Sequence, residues 1–153
     1  MRTRQLCFHT FDDAIAEIKR LAAGGYQKAG KWSLGQMCEH LAIDAERVME
    51  GKTFRVPVLV GLVAPLFKKP FFRARRMRSG FRAPAVLLPQ DGADETREIA
   101  RTIEAWRRFS AFSGPFPRNP IFGVLTPHEW RELQLIHAAH HLGHLIPNQA
   151  VAA

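Results

Sequence analysis

Four histidines fall within eight residues near the end of the chain, His137, His140, His141 and His144 in LIHAAHHLGHLIP. Imidazole at this density can ligate a metal, shuttle a proton, or simply pack. On a helical wheel centred on His137, Trp130 falls at about +20°, Leu133 at about −40°, His141 at about +40° and His144 at about −20°. A stripe carrying Trp130 and Leu133 should face the core, so its histidines should face inward too. A buried imidazole left without a partner costs roughly 1–3 kcal/mol. A divalent metal satisfies several at once. His137 and His141 have the i, i+4 spacing that lets two imidazoles on one helix reach one ion.

A lone HxxxH pair is a weak signal and needs a third ligand from elsewhere. Outside the C-terminal third of the chain only His9 and His40 remain. His9 precedes the first predicted helix and reads as surface. His40 lies mid-helix, between an apolar arc and a polar strip of Gln36, Asp44 and Arg47, which suits the floor of a cleft. Three histidines leave coordination open to water or substrate, the arrangement of a catalytic metal. Imidazole ligation suits zinc, nickel, copper or iron, with zinc and nickel the leading expectations. Asp44, one turn after His40, is either a general base or a hydrogen-bond acceptor behind a ligand, or else a surface residue paired with Arg47. Cys38 lies about 160° from His40 on the wheel and faces the core, so a thiol cosubstrate would come from outside.

Four amphipathic helices must position these residues. The first opens at Thr10 with Asp13 as a capping box, carries Phe11, Ile15, Ile18 and Ala22 on one face, and stops at Gly24-Gly25. The second opens at Ser33 with Gln36 in the same relation and runs to Gly51. The third spans roughly 94–112 with Ile99, Ile103, Trp106 and Phe109 inward. The fourth starts at Thr126-Pro127 and should continue to about Ile146. Between the second and third lies a long segment, 52–90, interrupted by Pro57, Gly61, Pro65 and Pro70. Its apolar stretch followed by basic residues fits either short helices packed across the bundle or an interfacial membrane segment. The breakers favour packing.

The remaining numbers narrow the class. With 153 residues, 46% hydrophobic and 24% charged, the chain reads as one soluble domain over 1–153. Two cysteines are too few for a disulfide framework. No run is long enough to span a membrane, and a cytoplasmic home is expected. The net charge of +8 is concentrated in nine cations between Gly51 and Gln90, a segment with no acid. Such a block is a solvated surface or an attractor for anions. Phe67, Phe71, Phe72 and Phe81 interleave it as stacking platforms would, though phenylalanines at this density more often belong to a core.

The phrases WSLGQMCEHL, from Trp32 to Leu41, and HAAHHLGHL, from His137 to Leu145, make the whole chain resemble the DinB/YfiT-like superfamily of metalloenzymes, in a branch of unassigned function. The resemblance implies an all-α four-helix bundle with a long connection between helices 2 and 3, and a divalent metal held by His40, His137 and His141. Family members often carry Gly then Gln after the HxxxH pair. Gly143 matches, while His144 stands where Gln is usual, so His144 is open to a role as extra ligand, proton shuttle or packed spacer. Relatives include transferases and isomerases that use a low-molecular-weight thiol, and such bundles commonly pair as homodimers. The combined expectation is a metal-dependent transferase or hydrolase acting on a small molecule, with His144 and Asp44 as candidate catalytic groups. The competing reading is a non-catalytic protein that uses 52–82 to hold nucleic acid or an acidic partner; a third is a bundle that keeps its histidines for packing.

Overall fold

Four long helices start where side chains can satisfy the unpaired N–H groups of a first turn. In the computed structural model, which describes residues 3–78, 80 and 83–148, Thr10 and Asp13 close a capping box on α1 (Phe11–Gly24). Ser33 and Gln36 do the same for α2 (Leu34–Met49), and Thr126 and Glu129 for a helix at Pro127–Leu142. Asp94 accepts from the Arg97 amide at the head of Glu95–Ala111. Between α2 and these last two run α3 (Val58–Val63), a 3-10 turn (Ala64–Phe67), α4 (Lys68–Ala74) and a second 3-10 turn (Ala85–Leu87), so the last two long helices are α5 and α6. The chain is mostly helical.

A small antiparallel sheet is the addition. β1 (Tyr26–Lys28) pairs with β2 (Leu145–Pro147), Tyr26 opposite Pro147 and Lys28 opposite Leu145. The expected fourth helix therefore stops at Leu142 rather than continuing to Ile146. The cause is a backbone crossing. Arg4 N–H donates to the Gly143 carbonyl at 2.8 Å, and a Cβ at Gly143 would stand only 2.6 Å from the Arg4 carbonyl oxygen. Only glycine tolerates that approach. Beyond it the chain straightens into β2 and clamps the end of α6, the helix bearing the histidine cluster.

α2 lies along α5 and also packs on α6, while α1 packs on both α5 and α6. Ile18, Leu21, Leu34, Leu41, Trp106, Phe109 and Leu142 are fully buried where they meet. Two faces are rotated from expectation. On α1, Leu21 is inside and Ala22 exposed. On α5, Glu98 and Thr102 are buried beside Trp106 and Phe109, with Ile99 and Ile103 only partly covered. Glu98 can go inside because Arg97 and Arg101 lie 2.8 and 3.3 Å from its carboxylate, and a buried charge needs such partners.

The close seam between α2 and α5 depends on Gly35, where a Cβ would meet the Glu95 Cα at 2.9 Å and the Ala93 carbonyl oxygen at 3.1 Å. Gly35→Ala should therefore destabilise the fold by about 1–3 kcal/mol despite alanine's better helix propensity. A urea midpoint equal to or above the parent's would contradict that packing.

The connecting segment differs most from expectation. α4 packs as foreseen, with Phe71 and Phe72 against Phe122, ring centroids 4.6 and 5.9 Å away. α3 does not pack in the same way: of its six residues only Gly61 is even partly covered. Phe81 and Arg82 lie outside the described residues.

Candidate metal centre

His40 is buried on α2 and faces His137 and His141 on α6. One ligating atom from each lies within 4.8 Å of the others. His137 Nε2 stands 3.0 Å from His40 Nε2 and 3.0 Å from His141 Nε2. Two nitrogens so spaced subtend about a right angle at a point about 2.0–2.1 Å from each, the usual zinc–imidazole distance. The contact between α2 and α6 makes this possible, and the i, i+4 spacing on α6 supplies the second and third rings.

The far nitrogens decide what the near ones can do. His40 Nδ1 lies 2.6 Å from the Leu87 carbonyl oxygen. A carbonyl only accepts, so Nδ1 carries the proton and Nε2 presents a lone pair. His137 Nδ1 lies 3.2 Å from Asp44 Oδ2, and Gln134 Nε2 donates to the same oxygen at 2.8 Å. Burial pushes the Asp44 carboxyl up, but the hydrogen bonds and charge of His137, with Gln134 and His40, override it and hold the group below its ordinary value. The carboxylate is thus an acceptor and His137 Nδ1 the donor, which in the neutral ring leaves Nε2 with a lone pair. Two lone pairs then face each other across 3.0 Å. A cation between them resolves the clash.

Burial, followed by the charge of His137, pushes His40 down to about 4, a shift only partly offset by the Leu87 hydrogen bond. Burial pushes His141 well below its ordinary value. At neutral pH these rings are held uncharged, the form in which imidazole binds metal. The donor set fits a divalent ion.

Trp32 completes the wall. Just before the cap of α2, its ring stacks on His141 at 5.5 Å and 17° and lies 5.0 Å from His40. His137, His141 and Asp44 are only partly covered, so the site reaches solvent on their side. Two cavities of about 350 and 360 Å³ lie elsewhere. One is lined by His9, Phe11, Arg107, His128 and Arg131. The other is lined by Arg4, Cys7, Arg75, Arg76, His140 and His144.

Of the candidate catalytic groups, Asp44 joins the site, bonded to His137 and Gln134 rather than paired with Arg47, whose guanidinium donates to the Thr53 carbonyl. His144 does not join it. Its ring packs edge-on to His140 at 5.3 Å, and His140 in turn lies 5.1 Å from His141. Cys38 is fully buried, its thiol pushed up to about 12 by burial. The basic segment makes no hydrogen bond to the three histidines among the described residues. Lys68 pairs with Glu129 at 2.8 Å, Arg75 pairs with Glu132, and Lys52 pairs with Glu50 at 2.7 Å.

Sequence reasoning missed three contributors. The Leu87 carbonyl is a backbone atom whose side chain says nothing of it. Gln134 was findable: it lies three residues before His137 on a helix whose neighbouring positions are apolar. Trp32 was conspicuous in the phrase it opens, but its stacking on His141 depends on how the loop before α2 approaches α6.

Helical fold and histidine cluster together define a mostly helical protein with three convergent imidazoles that could hold a metal ion. The chain belongs to the family described as "Protein of unknown function (DUF1569)", whose match spans residues 1–148. No curated protein and no solved structure matches it.

Two substitutions separate the roles around the cluster. Asp44→Asn should weaken metal affinity about 10–100-fold while leaving the site able to load, the usual effect of removing a carboxylate behind a histidine ligand. His144→Gln should leave metal content unchanged, since its ring touches none of the three histidines. Titration calorimetry with zinc reads both. Metal loss in His144→Gln equal to that in His141→Ala would contradict the assignment.

Proposed function

We propose that the protein is a divalent-metal-dependent enzyme acting on a small molecule, a transferase or hydrolase, built as one four-helix-bundle domain of DinB/YfiT-like type. The observation that carries this reading is the convergence of three imidazoles, His137 Nε2 standing 3.0 Å from Nε2 of both His40 and His141. Packing alone does not call for that juxtaposition; metal binding does. A bound divalent ion, zinc or nickel foremost, would supply Lewis acidity and a nucleophile deprotonated near neutral pH.

The chain's own residues do the positioning. Leu87 and Asp44 hold the far nitrogens of His40 and His137, and Gln134 holds Asp44. Both contacts on one Asp44 oxygen make it a positioning residue more readily than a general base. The Trp32 ring offers an apolar face beside the ligands, suited to the carbon skeleton of a small substrate. Neither cysteine lines the cluster, so a thiol cosubstrate would come from solution.

Cobalt-substituted protein tests the reading directly. Adding glutathione should bring a sulfur-to-cobalt charge-transfer band in the near ultraviolet, and azide should alter the visible spectrum. If neither changes the spectrum, coordination is closed and the catalytic reading fails.

A further inference from the structure

The stretch from Val58 to Phe67 turns its bulky side chains to solvent and its small ones to the protein. Val58 is 79% exposed, Leu59 71%, Leu62 70%, Leu66 77% and Phe67 60%, with Val60 and Val63 also exposed. Gly61, Ala64 and Pro65 are the partly covered positions. A Cβ on Gly61 would stand 3.7 Å from the Pro120 carbonyl oxygen, so the small-residue face rests on the 112–126 connection. The next inward residue, Lys68, is tied down at 3.0 Å to the Val124 carbonyl and 2.8 Å to Glu129. Val124 itself is exposed and extends the apolar surface. A helix that hides glycine and alanine while displaying leucine and valine reverses the usual pattern of a surface helix.

The outward face changes character along the chain. In α4, Phe71 and Phe72 turn inward onto Phe122, and Lys69 and Arg73 point out. Arg55 lies exposed at the other end. Among the described residues the ion pairs of this basic segment are those of Lys52, Lys68 and Arg75, and Arg55, Lys69 and Arg73 make none. An apolar platform is therefore flanked by unneutralised positive charge, in a segment with no acid from Gly51 to Gln90.

We propose that the segment 55–73 docks the protein on an anionic lipid surface, with Val58, Leu59, Leu62, Leu66 and Phe67 entering the interface and Arg55, Lys69 and Arg73 meeting lipid headgroups. Charge complementarity selects this occupant. A second copy meeting the same face across a twofold axis would set the cations near their own images. Nucleic acid would use the charges and would stack on aromatics, but it has no use for four exposed aliphatic side chains. A lipid interface uses both kinds of residue, and shallow insertion needs no long helix. No helix of the described residues is long and apolar enough to cross a membrane, so the attachment is peripheral. This reading is independent of the metal centre.

Co-sedimentation of the whole chain with vesicles tests it, comparing phosphatidylcholine alone with phosphatidylcholine mixed with phosphatidylglycerol. The protein should bind the mixed vesicles, bind the neutral ones far less, and release with salt. Leu62→Ser with Leu66→Ser should lower partitioning about 150-fold, from about 1.5 kcal/mol of transfer energy per leucine. Lys69→Gln with Arg73→Gln should lower it about 30-fold, from about 1 kcal/mol per cation. All four positions are solvent-facing or ion-pair-free, and unchanged circular dichroism checks that the variants fold. Failure of the parent chain to bind anionic vesicles overturns the proposal. So does binding that ignores the leucine substitutions, a solution dimer that those substitutions dissociate, or salt-sensitive retention on DNA in place of vesicle binding.

Discussion

Replacing His137 with alanine should abolish the thermal stabilisation expected when zinc or nickel is added to the parent protein. His137 Nε2 is the shared neighbour of the other two ligating nitrogens, 3.0 Å from each. Its loss leaves His40 and His141 without the ring that spans them and frees Asp44 of its principal partner. The effect should exceed the 10–100-fold typical of groups behind the ligands. Ligand-free His137→Ala should fold, because the ring is partly exposed and deleting it also removes a lone-pair clash. Thermal unfolding with and without metal measures the difference. An undiminished metal-induced shift in His137→Ala would place the ion elsewhere.

The second large effect is on pH. In the metal-free protein His40 and His140 are each pushed down to about 4, mainly by burial, and His141 well below its ordinary value for the same reason. An unfolded chain takes up protons on these rings near pH 6.5. Below that pH the unfolded state binds more protons than the folded one, so stability falls as pH drops from 6.5 towards 4 and is fully present above 6.5. His40 alone accounts for about 3 kcal/mol of this loss, a large part of the ~5–15 kcal/mol typical of a domain. Urea unfolding in chelator at pH 7 and at pH 4.5 should show it. Equal stability at the two pH values would mean that the rings are not held neutral by burial.

Much of the helical frame was legible because caps are local. Thr10-Asp13, Ser33-Gln36 and Thr126-Glu129 announce helix starts within four residues, and the structure closes all three boxes. The spacing that sets His137 beside His141 was legible for the same reason, and the structure brings His40 of α2 to them. Non-local backbone was not legible. Gly143 ends α6 early because Arg4 crosses it, and nothing near either residue foretells the meeting. The β1–β2 pair was hidden because each strand is three residues long and Leu145 and Ile146 continue the helical pattern of α6. Burial of α3 was misjudged because apolar composition does not say which side of a short helix finds a partner. There the small residues found one and the large residues did not.

Elemental analysis of untagged protein, after incubation with zinc and nickel and removal of loosely held ions, is the most direct measure of the metal centre. One divalent ion per chain in the parent protein, retained in His144→Gln and absent from His137→Ala, is the predicted result. A parent chain that leaves the column free of metal, or a His137→Ala chain that keeps its full complement, would contradict it.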